Sequence, residues 1–227
     1  ETHRRDDFSW WRSRVCHALS LFDCLRLDHF RGLAAFWSIP AGEETAIRGE
    51  WVKAPGEALL KRLAEDHPGL PIVAEDLGII TPDVESLKDR FGLPGMRVLQ
   101  FGFSGEAGSN PHAPHNFPEA VVVYTGTHDN DTSVGWYQSA PEVEKDFCRR
   151  YLARSGDDIA WDLIRAGWSS TAVFSVAPLQ DLLSLGTEAR MNYPGKPAGN
   201  WNWRFLSGEL SPFIIQRMKE MNTLYLR

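Results

Sequence analysis

The chain has 227 residues, an ordinary apolar share of 43% and a net charge of −6. That length suits one large domain or two small ones. The charge excludes a general binder of nucleic acid or of anionic membranes, because no basic excess is there to meet phosphates. No apolar run reaches the length of a membrane span. The opening ETHRRDDFSWW carries no start methionine and no charged-then-apolar leader, and it runs straight into a helical pattern. The expectation is a piece of a longer protein. Three cysteines, Cys16, Cys24 and Cys148, show neither zinc spacing nor a disulfide framework. A reducing compartment follows as the default.

In chain order, the spacing of Trp11, Val15, Ala18 and Leu19 predicts a helix over 8–21, with Asp6 or Asp7 as its cap. A strand follows over 22–28. Its two-residue period puts Cys24, Arg26 and Asp28 on one face and Leu25 and Leu27 on the other. Residues 32–51 lack a sustained period and read as a long loop holding Phe36, Trp37 and Trp51. A helix is predicted over 55–66, and a short buried strand over 70–77. Thr81-Pro82 opens a helix over 83–91, with Thr as cap and Pro in the first turn. Then come a strand over 96–103, a Gly/Pro/Asn/His loop over 104–118 and a strand over 120–125. Helices are predicted over 141–153 and 157–166, a strand over 171–176, and helices over 178–185 and 211–225. A loop rich in Gly, Asn and Trp spans 190–203.

Strands alternating with helices imply an α/β fold with a parallel sheet and right-handed crossovers. No glycine fingerprint for nucleotides follows any strand. Polar groups stand instead at the carboxyl ends of several strands, where a (β/α)8 TIM barrel carries its chemistry. A whole barrel takes roughly 250 residues. The order of elements therefore predicts residues 1–227 to be the C-terminal part of a single barrel domain, strands four to eight.

Three carboxylates end three strands: Asp28, Glu75 and Asp129. Parallel strands share a rim, so the three are expected to converge. A carboxylate held ionised beside another kept protonated is the pair a retaining glycosidase needs, about 5–5.5 Å apart. Asp28, beside Arg26, suits the nucleophile. Glu75, after Ile72, Val73 and Ala74, suits the acid with a raised pKa. Asp129 suits a group that holds sugar hydroxyls. Each residue has a plainer reading. Arg26 and Asp28 make a structural ion pair equally well. Glu75-Asp76 reads also as a helix-capping pair. Residues 128–131, His-Asp-Asn-Asp, read also as a turn. His112 and His115 form an H-x-x-H without the helical spacing or neighbouring cysteines of a zinc site. For any single Trp, core packing is the competing reading to a sugar platform.

The segments RLDHFRG, IVAEDLG and YTGTHDNDT, in that order, resemble the strand-four, strand-five and strand-seven motifs of the 4-α-glucanotransferases (amylomaltases, or disproportionating enzymes) of the α-amylase-like clan. GLPGMRVLQFGF, NPHAPHNF, ARMNYPG and GNWNWRF extend the resemblance over nearly the whole chain. It implies transfer of an α-1,4-glucan segment to glucose or a malto-oligosaccharide, with no cofactor and no metal. It implies Asp28 as nucleophile, Glu75 as general acid/base and Asp129 as transition-state stabiliser. Arg26 and His128 would contact the donor sugar, and Phe101 and Asn192 would line the glucan groove. The family's first three strands and its N-terminal additions have no counterpart here. The expectation is that the lone chain is inactive unless a second chain supplies them. The rival readings are an α-glucan hydrolase of the same clan and a non-catalytic glucan-binding chain.

Overall fold

The computed structural model describes residues 5–105 and 108–227, so the first four residues and two positions within the 104–118 loop lie outside it. The chain divides after Met96 into two units.

In the first unit, helix α1 (Ser9–Leu19) starts from Phe8, in the left-handed region, rather than from an acidic cap. Asp6 accepts from the Ser9 hydroxyl at 3.1 Å. Asp7 is drawn off by cations, Arg12 at 2.7 Å and Arg62. Two guanidiniums outbid a neutral N–H for a carboxylate, so the predicted cap is not formed. Strand β1 (Leu25–Leu27) is shorter than expected, because Phe22 lies exposed outside it. Its period holds: Leu25 and Leu27 pack on a core of Phe30, Leu59, Leu60, Leu63, Ile72 and Ala74.

The predicted loop over 32–51 is structured. A 3-10 turn (Phe30–Leu33) leads into an antiparallel hairpin of β2 (Ala35–Ser38) and β3 (Glu50–Lys53). Trp37 pairs with Trp51 across it, edge to face at 5.4 Å. Helix α2 (Gly56–Asp66) turns Leu59, Leu60 and Leu63 inward. Strand β4 (Ile72–Ala74) runs parallel to β1 in the register Leu25↔Ile72, Arg26↔Val73, Leu27↔Ala74. Helix α3 (Pro82–Arg90) has Pro in its first turn as expected, but Thr81 at the cap position makes no side-chain capping bond, its hydroxyl bonding Asp83 instead. Asp76, buried, pairs with Lys88 of α3 at 2.8 Å and accepts the Met96 N–H at 2.7 Å. A Cβ at position 95 would sit 2.3 Å from that carboxylate, so only glycine fits there.

Strand β5 (Gly95–Val98) carries the chain into the second unit, whose sheet has the order β5, β6 (Val121–Tyr124), β7 (Phe174–Val176). β6 and β7 are parallel. The strand expected over 96–103 ends at Val98, and Leu99–Phe103 winds into a 3-10 helix. An unpredicted helix, α4 (Ser133–Ser139), follows β6, its start capped by the Thr132 hydroxyl accepting from Gly135 N–H at 3.1 Å. The remaining helices are α5 (Glu142–Leu152), α6 (Ile159–Trp168), α7 (Leu179–Leu182) and α8 (Pro212–Tyr225). Leu99, Phe103, Val121, Val123 and Leu163 form one core, and Trp161, Ile164, Trp168 and Met221 a second under α8. The result is an α/β protein with parallel strand pairs joined through helices. Among the described residues no helix is long and apolar enough to cross a membrane.

Candidate active site

In the first unit the β1–β4 register continues past both strand ends. Glu75 N–H donates to the Leu27 carbonyl at 3.0 Å, and Phe30 N–H to the Glu75 carbonyl at 3.1 Å. Asp28 and Glu75 are therefore the next pair after Leu27↔Ala74, on strands spaced about 4.8 Å apart. Both fall on the face of Arg26, away from the leucines. Arg26 Nη2 lies 2.6 Å from Asp28 Oδ1, and its Nε faces Met96 Sδ at 3.2 Å. The Asp28 side chain is 75% exposed. Glu75 is half-buried. Its Oε2 accepts from the backbone of His29 at 2.8 Å and its Oε1 from that of Leu77 at 3.0 Å. His29 itself sits at a left-handed φ of 49°. One carboxylate is thus exposed beside a cation, and the other is clamped by two N–H groups.

In the second unit Asp129 rides on the loop after β6. Its Oδ1 accepts from Asn192 Nδ2 at 2.6 Å, and its Oδ2 lies 3.5 Å from His128 Nε2. Arg190 joins the two segments: it donates to the carbonyl of Asp129 at 2.6 Å and to that of Asn192 at 2.8 Å, with Tyr193 under its guanidinium. The turn is closed by Asn130, whose Oδ1 accepts from Thr127 N–H at 2.9 Å. That leaves the Asp129 carboxylate half-exposed and outside the turn's own bonding. Gly126 permits the close pass, since a Cβ there would meet Gln100 Nε2 at 2.6 Å. The His128 ring packs on Trp201 at 5.3 Å. A cleft of about 180 Å³ opens here, lined by Thr127, His128, Asp131, Gln180, Arg190 and Trp201.

The sequence-selected residues thus fall into two groups. Arg26, Asp28 and Glu75 share one strand pair, and His128, Asp129 and Asn192 share one loop cluster. Phe101 lies in the 3-10 helix after β5, half-exposed and edge-on to His112 at 5.4 Å. His112 and His115 serve separate partners: His112 Nδ1 accepts from Val98 N–H at 3.1 Å, and His115 Nδ1 sits 2.8 Å from the Tyr151 hydroxyl. Arg190 and Gln180 were not singled out by sequence reasoning. Arg190 stands in the ARMNYPG segment, two residues before Asn192, with no role of its own marked there.

Residues 1–209 match the family model described as 4-alpha-glucanotransferase, glycoside hydrolase family 77. The 4-alpha-glucanotransferase of Thermus thermophilus is 54% identical over 225 residues, 96% of this chain and 45% of that protein. The chloroplastic/amyloplastic 4-alpha-glucanotransferase of Arabidopsis thaliana is 47% identical over 226 residues, 98% of this chain and 39% of that protein. The amylomaltase of Streptococcus agalactiae, solved in complex with acarbose, superposes with a TM-score of 0.95 at 34% identity, covering 99% of this chain and 46% of that one. The chain spans somewhat under half the length of these relatives. With a family match over most of its length and residues of the family's motifs gathered at the strand ends, the chain belongs to the 4-alpha-glucanotransferases of glycoside hydrolase family 77.

Proposed function

We propose that these residues perform 4-α-glucan transfer with retention. The observation that carries this reading is the register seating Asp28 and Glu75 at neighbouring strand ends, with Arg26 at 2.6 Å from Asp28. In the first step an Asp28 oxygen bonds to the anomeric carbon as the bond from that carbon to the leaving 4-oxygen breaks. Glu75 gives its proton to that oxygen. In the second step Glu75 takes the proton of an acceptor 4-hydroxyl. The new glycosidic bond forms and the Asp28 ester breaks. Two inversions leave the anomeric configuration unchanged. Arg26, 2.6 Å from Asp28, holds that carboxylate in place for attack. Asp129, oriented by Asn192, takes sugar hydroxyls and favours the ring's oxocarbenium-like form. His128 and Trp201 offer a wall for the donor sugar, and Phe101 a further stacking face. The substrates are α-1,4-glucans, malto-oligosaccharides and glucose.

These residues act as the later strands, four to eight, of a (β/α)8 barrel whose first strands come from the rest of the protein or from a second chain. Parallel strand pairs with carboxylates at their carboxyl ends support that reading. The compartment is the bacterial cytosol or a plastid, the latter in keeping with the Arabidopsis relative's name. Acarbose, bound by the Streptococcus agalactiae amylomaltase, is expected to inhibit. The test is the product ladder from maltotriose given to the full-length protein. Glucose plus oligomers longer than the substrate means transfer. Glucose and maltose alone mean hydrolysis and overturn the proposal.

A further inference from the structure

Beneath the Asp129 loop lies a carboxylate that the proposed reaction does not use. Asp181, on α7, is 1% exposed. Its Oδ2 accepts from the hydroxyls of Thr125 at 2.5 Å and Ser133 at 2.7 Å, and its Oδ1 from Ser133 N–H at 2.7 Å. Those partners are the two ends of one loop. Thr125 is the first residue after β6, where its N–H also reaches the Val176 carbonyl of β7 at 3.3 Å. Ser133 opens α4. Between them run His128 and Asp129. Within the loop Asp131 is held as well: its carbonyl accepts from Gln100 at 2.9 Å and its Oδ2 from the Thr187 hydroxyl at 2.8 Å.

We propose that Asp181 is a positioning residue for Asp129: it staples residues 125 and 133 together and so fixes the loop that aims the Asp129 carboxylate. A neutral core would not place a carboxylate here. Burial pushes the Asp181 carboxyl above its ordinary range, and the bonds from Thr125 and Ser133 act against that push. A buried acceptor with this cost is retained where its geometry is needed. Asp181 offers both oxygens to three donors, which an amide cannot do, since its nitrogen only donates. The inference rests on the reading of Asp129 as the group that answers positive charge on the reacting sugar.

The test compares two ligands in the full-length protein by calorimetry. One is a cationic pseudo-maltosaccharide that mimics the transition state. The other is neutral maltotriose, and both are titrated in an Asp28→Asn background, where maltotriose binds without being turned over. Asp181→Asn should weaken the cationic ligand about tenfold or more, the scale of a hydrogen bond to a charged group. Maltotriose should change by less than about a factor of two on the same scale. Asp129→Asn should show the same split, and the double variant should be no weaker than Asp129→Asn alone, as residues acting through one group require. Thr125→Val removes one of the three bonds while keeping shape, and it should shift the cationic ligand in the same direction where Asp181→Asn does not fold. Equal losses for both ligands, or additive losses in the double variant, overturn the proposal. Maltotriose turnover by the unsubstituted protein, measured alongside, is the separate check on the reaction itself: turnover with additive losses strikes only the Asp181 role, and no turnover strikes both.

Discussion

The backbone N–H of His29 donates to Oε2 of Glu75 at 2.8 Å, so the residue that follows Asp28 holds the carboxylate of the neighbouring strand. The two reacting groups of the proposed mechanism are thereby tied through one backbone hydrogen bond. A change in the path of the chain at Asp28 moves Glu75 as well.

Glu75→Gln keeps the shape and can still accept one of the two N–H bonds, but it has no proton to give. General acid–base catalysis contributes about 10²–10⁴-fold. Turnover of maltotriose should fall by about that much in the variant. A maltosyl fluoride donor, whose leaving group needs no proton, should keep much of its rate of glycosyl-enzyme formation. Equal losses on both donors would remove Glu75 from the proton transfer.

Asn192→Ala deletes the donor 2.6 Å from Asp129 Oδ1 without touching the core. A hydrogen bond to a charged group is worth about 1.5–3 kcal/mol, and the half-exposed site argues for the lower end. The expected outcome is a kcat/KM about tenfold down, with the melting temperature unchanged. A fall in melting temperature with unchanged kinetics would make Asn192 a structural residue only.

Much of the fold is legible in the sequence, and its failures share a cause. The triad Ile72-Val73-Ala74 is wholly buried, so an apolar run marks β4 plainly. The hairpin of β2 and β3 gives no such signal. Phe36, Trp37 and Trp51 are all partly solvent-exposed, so no inside–outside alternation appears. Its pairing rests on cross-strand aromatic contact, which a single stretch cannot display. The run after Val98 fails in the opposite sense. Leu99 and Phe103 are buried four residues apart, a spacing a strand also allows, and only the tertiary setting selects the 3-10 helix. Helix α4 escaped prediction, because seven residues with an internal glycine are too short for a period to stand out. Among site residues, the Arg26–Asp28 pair follows from strand period alone. The Asp129–Asn192 bond spans 63 positions and has no local signature. Resemblance marked Asn192 as a glucan-groove residue, and its bond to Asp129 emerges only from the structure.

The cysteines give a prediction independent of catalysis. Cys16 and Cys24 are exposed, and Cys148 is buried. Burial in the α5 core pushes the Cys148 thiol up to about 12, with Asp162 adding to the push. The thiolate is the reactive form. At pH 8 a thiol-specific reagent should therefore modify Cys16 and Cys24 in the folded protein, and Cys148 only after denaturation. Rapid modification of Cys148 in the native state would mean that the α5 core opens readily.

The central claim is that Asp28 attacks the sugar. The direct measurement is intact-mass and peptide-mapping spectrometry of the full-length protein after reaction with a fluorinated maltosyl fluoride, whose second step is slow. The account predicts a mass gain of one glycosyl group on the peptide that holds Asp28, and its loss on adding an acceptor glucan. It predicts no gain in Asp28→Asn. A glycosyl group on another residue, or none while maltotriose is still turned over, would contradict the account.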